Sequence, residues 1–253
     1  MVPKTIIVTG ASRGLGLAMA KYLLSAPQRN NVVAVARSLE PLQKLKSQFD
    51  DQVQILAGDL RLPSTAQDAV AIALQSFGAI DGLILNHGVL GQIGNISVAE
   101  VDQWKQGFEI NFFSSVNFIK VALPALRESK GRIVFTSSGA VTSASRGWAM
   151  YAATKAAINN LTQSLGAEES DVICLAIEPG MVNTEMQREL REEHISSLDA
   201  EMHSKFTSVH QTSDLLEPEQ PGHVMARLAL GAPRSLSGQF LSWNDPALQQ
   251  FSD

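Results

Sequence analysis

An α/β domain built on a doubly wound parallel sheet is the fold this chain predicts, and three observations predict it. Short β-branched runs alternate with stretches of helical period. Several of those runs are apolar nearly throughout rather than at every second position. A glycine-rich turn joins the first run to the first helical stretch. Strands apolar on both faces belong in a parallel sheet covered by helices on both sides. Such βα alternation places ligands beyond the carboxyl ends of the strands. At 253 residues, with no repeat and no Pro/Ser-rich linker, one domain is expected.

The elements follow in order. The first strand is Thr5–Thr9, and the turn Thr9-Gly10-Ala11-Ser12-Arg13-Gly14-Leu15-Gly16 leads into a helix over Leu15–Leu24. Strands are expected at Asn31–Ala36 and Val53–Ala57, with Glu40 already in the helix between them. A helix over Thr65–Phe77 precedes a strand at Gly82–Leu85, and a helix over Phe113–Leu126 precedes one at Arg132–Thr136. The helix Tyr151–Leu165 then leads to a strand at Val172–Ile177, with a last strand near Gln239–Leu241. In each helical stretch the apolar period moves towards 3.6. Residues 181–216 break the alternation: a polar stretch with a charge run at Glu185–Glu193 interleaves Met186, Leu190, Ile195, Leu198, Met202 and Phe206. Following directly on a strand end, it reads as a lid over a substrate.

Composition narrows the function. No window is long and apolar enough for a transmembrane helix, and a strand starting at Lys4 leaves no room for a leader, so no membrane partner is expected. The lone Cys174 sits in an apolar run and reads as a core residue of a cytoplasmic protein. A net charge of -5 without a dense Lys/Arg cluster argues against nucleic acid. The histidines show no metal-ligand spacing, so no metal is expected. Ser138 is not in a Gly-x-Ser-x-Gly elbow, which disfavours a serine hydrolase.

Gly10, Gly14 and Gly16 join strand to helix where a side chain would hold the backbone away from a pyrophosphate. The helix that follows offers free N–H groups and its positive dipole end to phosphates. About 20 residues onward, an acid would bind the ribose 2′-OH of NAD, whereas an arginine accommodates the 2′-phosphate of NADP. Here the strand ends Val35-Ala36-Arg37-Ser38. With Arg13 in the glycine turn, two guanidinium groups can meet one phosphate, and NADPH is the expected cofactor. Asp59 can accept from an adenine amino group or cap the turn over Arg61–Ser64.

Tyr151 and Lys155 stand four apart on one helix face. An ammonium beside a phenol favours phenolate and is expected to lower the tyrosine pKa, which suits proton exchange with a reacting oxygen. Ser138 ends the preceding β-like run. Taken singly, each residue has a plain structural role available: Asn111 can cap a helix, Ser138 can sit in a turn and Tyr151 can be half buried. Their order along one chain is what makes the set specific.

The glycine turn, Asp59, Asn86-His87-Gly88, Asn111, Ser138, Tyr151/Lys155 and Pro179-Gly180-Met181-Val182-Asn183-Thr184 together resemble the short-chain dehydrogenase/reductase family, whose fold is of Rossmann type. Ser137-Ser138-Gly139-Ala140, Gly147-Trp148, the run from Pro179 to Glu192 and that from Ser237 to Asp245 resemble its benzil reductase and sepiapterin-reductase-like branch. The resemblance implies a catalytic tetrad. Ser138 would bond the substrate carbonyl oxygen and Tyr151 would donate the proton. Lys155 would tune Tyr151 and hold the nicotinamide ribose, and Asn111 would fix a water in a proton relay. It implies cofactor contacts from Gly10, Ser12, Arg13, Gly14, Leu15, Gly16, Arg37, Asp59, Leu60, Asn86, Gly88, Tyr151, Lys155, Pro179, Gly180, Val182 and Thr184. The implied activity is NADPH-dependent reduction of a small-molecule ketone or vicinal diketone by a homodimer or homotetramer. The same tetrad serves alcohol dehydrogenases and 3-oxoacyl reductases, and a non-catalytic NADP sensor is the alternative of another class. His87 departs from the alanine usual in Asn-Ala-Gly: it either affects substrate shape or protonation or turns its ring away, and no catalytic role is assigned to it.

Overall fold

A computed structural model describes residues 2–142, 145–192, 194, 208 and 214–252. Among them the chain runs β1 (Thr5–Thr9), α1 (Gly14–Leu24), β2 (Asn31–Ala36), α2 (Leu39–Phe49), β3 (Val53–Ala57), α3 (Pro63–Phe77) and β4 (Gly82–Leu85). It continues with α4 (Val101–Phe108), a π-helical turn at Glu109–Phe113, α5 (Ser114–Ser129), β5 (Arg132–Thr136), α6 (Ala149–Glu168) and β6 (Ile173–Glu178). Last come α7 (Glu185–Glu192), α8 (Glu219–Gly231) and β7 (Phe240–Ser242). The described strands form one parallel sheet in the order β3-β2-β1-β4-β5-β6-β7. The order reverses between β1 and β4, so a crevice opens beyond their carboxyl ends.

Side chains alternate across the pleat, which divides the core in two. Ile6 and Val8 of β1 pack with Met19 and Leu23 of α1, Leu42 of α2 and Met225 and Leu228 of α8. Ile7, between them, packs on the other face with Ala69 of α3, Phe118 of α5 and Ile158 of α6. Both layers are buried, so β1 is apolar at every position between its terminal threonines. Each fully buried Leu, Ile or Phe contributes about 1.5–3 kcal/mol.

The differences from the expected boundaries are small and have local causes. Pro63 opens α3 as its first residue, where a missing N–H costs nothing, so that helix starts two residues before Thr65. Gly78 closes it in a left-handed conformation, its N–H on Leu74 O. Residue Val172 precedes β6, and β7 starts one residue later than expected. The helices α4 and α8 were not expected. Of the expected lid, α7 and a bridge between Val182 and Leu216 are described, while Ile195, Leu198, Met202 and Phe206 lie outside the described residues, as do His203 and His210.

Candidate active site

The turn after β1 forms one wall of the crevice. Gly10 has a φ of +68°, and a Cβ on it would press on the His87 backbone at 3.1 Å. A Cβ on Gly16 would run into Gly10 O and, at 2.7 Å, into Asn86 Nδ2. The helix α1 starts with no capping side chain and no acid in its first turn. Its first N–H groups and dipole therefore face the cleft uncompensated, as a phosphate requires. Opposite stands Thr184, whose methyl group would lie 3.1 Å from a Cβ on Gly14. Thr184 O accepts from the N–H groups of Gln187 and Arg188, which starts α7. This cradle of close backbone and open amides fits a pyrophosphate-linked dinucleotide.

Three loops meet at the far end of the cradle. Ala11 N donates to Val35 O and Gly58 N to Ala36 O, so the glycine turn and the ends of β2 and β3 lie side by side. Arg13, Arg37, Asp59, Leu60 and Arg61 all line the cleft there. Asp59 takes the capping role, accepting from Arg61 N at 3.0 Å and from the Arg61 guanidinium at 2.6 Å. That guanidinium, with Arg37 adding to the field, holds the Asp59 carboxyl below the usual range. Glu40 lies in α2, paired with Lys44. No carboxylate follows β2 directly, and Arg37 occupies that position.

Asn86 ties the strand ends together. Its Nδ2 donates to Thr9 O at 3.3 Å, and its Oδ1 accepts from Thr136 Oγ1 at 3.1 Å. The next residue, His87, is buried, with Nδ1 2.7 Å from Thr9 Oγ1 and Nε2 2.6 Å from Ser114 Oγ. The Thr9 hydroxyl also donates to Ile84 O and the Ser114 hydroxyl to Ile110 O, so the ring bridges two hydroxyls that are themselves anchored to backbone carbonyls. Burial, with the Lys155 charge nearby, pushes the His87 pKa down to about 3. The ring is neutral and faces Thr9 and Ser114, the second of the two readings offered for it.

The π turn carries Asn111. One extra residue in the turn loosens the helix where a side chain must reach out. Asn111 Oδ1 accepts from Val89 N at 2.8 Å, while Nδ2 donates to Val89 O at 2.9 Å and Thr154 Oγ1 at 3.0 Å. The side chain thus locks the loop after β4 onto α6. A Cβ on Gly88 would lie 3.4 Å from Asn111 Oδ1 and 3.5 Å from Lys155 Nζ, so these three groups are neighbours.

Tyr151 and Lys155 lie on α6, both buried. Lys155 Nζ donates to Thr136 O at 2.7 Å and stands 5.8 Å from the centre of the Tyr151 ring. Burial lowers its pKa to about 8, which leaves it largely cationic at neutral pH. The tyrosine departs from the expected tuning. Burial pushes its phenol up to about 12, opposed by the hydrogen bond with Ser138 and not by Lys155, whose ammonium is directed at Thr136. Ser138 Oγ also accepts from Ala140 N at 3.2 Å. The Trp148 ring meets Tyr151 edge-on at 5.7 Å. Leu90, Ile93 and Leu190 complete an apolar wall, flanked by Met181 and Met186.

Gly10, Ser12, Arg13, Gly14, Leu15, Asn86, Gly88, Ser138, Tyr151, Lys155 and Thr184 line one continuous cleft of about 1660 Å³, while Gly16 and Asn111 are not among its lining residues. The cleft is larger than a typical small-ligand pocket of about 300–1,000 Å³ and roomy enough for a dinucleotide with a second molecule. Pro179, Gly180 and Val182 line it as well. Sequence reading passed over Thr9, Thr136 and Thr154, which hold Asn86, Lys155 and Asn111. Their only signal was a threonine at a strand end or one residue before a site lysine.

Comparison with known proteins agrees with this geometry. Residues 4–195 match the short chain dehydrogenase family. An uncharacterized oxidoreductase of Saccharomyces cerevisiae, YIR035C, is 40% identical over 250 residues, covering 98% of either chain. Its crystal structure, described as a short chain dehydrogenase/reductase, superposes with a TM-score of 0.97 over 99% of this chain and 100% of that one. The (S)-benzoin-forming benzil reductase of the same yeast is 36% identical, covering 97% of each chain. A glycine cradle, a buried Tyr151/Lys155 pair with Ser138 beside the phenol, and these relatives make the chain an oxidoreductase of the short-chain dehydrogenase/reductase family.

Proposed function

We propose that this protein is a cytoplasmic NADPH-dependent carbonyl reductase, converting a ketone or vicinal diketone into a hydroxy compound. The observation that carries the reading is the shared cleft, which joins Ser138, Tyr151 and Lys155 at one end to Arg13 and Arg37 at the other. NADPH bound there supplies the hydride that adds to the carbonyl carbon. The glycine turn and the start of α1 hold the pyrophosphate, and Arg13 and Arg37 hold the 2′-phosphate. Lys155 and Thr184 orient the nicotinamide half.

The chain's own part is orientation and proton supply. Ser138 donates a hydrogen bond to the carbonyl oxygen, polarising it. Tyr151, with its pKa raised to about 12, is protonated at neutral pH and gives its proton to that oxygen as charge develops there. The phenolate left behind takes its proton back from solvent. Asn111 positions Lys155 by locking Val89 and Thr154. The apolar wall from Leu90, Trp148 and Leu190 suits aryl or alkyl flanks, in keeping with a benzil reductase among the relatives. The exposed apolar residues around α4 support an assembly of two or four copies.

The test is Tyr151→Phe. NADPH oxidation in the presence of benzil is expected to fall by about 10²–10⁴ or more, with NADPH affinity, read by fluorescence titration, kept within a few fold. Turnover at the wild-type rate would sink the proton-donor role.

A further inference from the structure

Glu178 brings to the substrate end of the cleft a carboxylate that the mechanism leaves unused, whereas the charges that α7 brings to the same cleft are partnered, Arg188 with Glu185 and Glu192 and Arg191 with Gln187. It lies at the end of β6, where Ile177 pairs with Thr136 and Ser137 N donates to Ile177 O. Glu178 is therefore level with the Ser137-Ser138 turn. Ile177 faces the α1/α8 side of the sheet, while Cys174 and Ala176 face the α6 side. By strand alternation Glu178 projects to the α6 side as well, the side of Tyr151 and Lys155. A Cβ on Gly139 would overlap Glu178 Oε1 and come within 3.0 Å of its Cδ. The absence of a side chain at 139 thus lets the carboxylate lie against the residue next to Ser138. Glu178 is partly exposed and lines the same cleft as Ser138 and Tyr151. Among the described residues its carboxylate has neither hydrogen bond nor ion pair, though its backbone carbonyl accepts from Trp243 N. Trp148, Leu190, Met181 and Met186 also line this cleft.

Resting on the carbonyl-reductase reading, we propose that Glu178 is a specificity-determining residue that rejects anionic substrates: keto acids and carbonyl compounds carrying a carboxylate or phosphate beside the reacting carbon. A carboxylate without a partner beside Ser138 repels a second anion seated at the same carbonyl. Neutral ketones, diketones and keto esters meet no such barrier.

The test compares two substrates that differ in charge and hardly in shape, methyl phenylglyoxylate and phenylglyoxylate, by kcat/KM for NADPH oxidation. The wild type is expected to favour the neutral ester. In Glu178→Gln, which keeps the shape and removes the charge, the ester-to-acid ratio is expected to narrow at least about tenfold, chiefly because the acid improves. Glu178→Ala should narrow it too. An unchanged ratio in both variants overturns the charge filter while leaving the reductase reading intact. A wild type that turns over neither the ester nor benzil overturns the reductase reading and the filter with it.

Discussion

His87 shows how much one residue can owe to its surroundings. In the sequence it stands between Asn86 and Gly88, where a proton-transferring ring is an attractive idea. In the molecule its nitrogens join Thr9, 78 residues away, to Ser114 on α5, and burial keeps it neutral. Its work is to fasten the end of β1 to the start of α5. Two buried hydrogen bonds at about 1 kcal/mol each, plus the cavity left by the ring, make His87→Ala destabilising by about 2 kcal/mol or more. For a chain of this length Tm should drop by about 4–8 °C in a thermal melt, and an unchanged Tm would refute the fastening role. On the proposed reading, Arg37 carries the cofactor choice at the same scale. Arg37→Asp should weaken NADPH binding about tenfold or more while sparing or improving NADH, as titration of both cofactors would show; equal losses would remove Arg37 from the 2′-phosphate.

At the scale of elements, the site is a set of strand ends and the turns that follow them. Thr9 ends β1, Thr136 ends β5, and the loop after β4 is locked by Asn111 from the π turn. The first turn tolerates least, because Gly16 packs directly on Gly10 O and Asn86. Gly16→Ala places a methyl group in that contact, and overpacking of this kind costs about 1–3 kcal/mol. NADPH affinity should fall at least about tenfold, since the backbone that yields is the one proposed to hold the phosphates. Calorimetric titration showing wild-type affinity would mean that the turn is not the cradle. Element boundaries were legible where local chemistry sets them, as in β1 through β5. The helix α4 was missed although Val101, Trp104 and Phe108 stand at helical spacing, because at 8 residues it is too short for that period to stand out. The π turn has no local signature at all: it follows from what Asn111 must reach.

The whole molecule leaves an apolar surface near α4. Ile96, Val98, Val101 and Phe113 are 70%, 63%, 67% and 47% exposed, while α5 and α6 carry the two long helical stretches expected at an assembly surface. If copies meet there, the double variant Val101→Lys, Phe113→Glu should shift the particle to a smaller mass in size-exclusion chromatography with light scattering. An unchanged mass would move the interface elsewhere. Among the described residues no helix is long and apolar enough to cross a membrane.

The sequence by itself determined the order of the strands, most of the helices between them, the glycine turn and the identity of the chemical groups. Periodicity, turn residues and the spacing of Tyr151 and Lys155 are local properties that travel with the chain. Tertiary structure alone decided that Lys155 bonds Thr136 instead of depressing the Tyr151 pKa. It also decided that Asn111 locks Val89, that the His87 ring bonds Thr9 and Ser114, and that Glu178 lies unpaired beside Gly139. Those outcomes depend on desolvation and on contacts between distant segments, and neither exists until the sheet has closed around them.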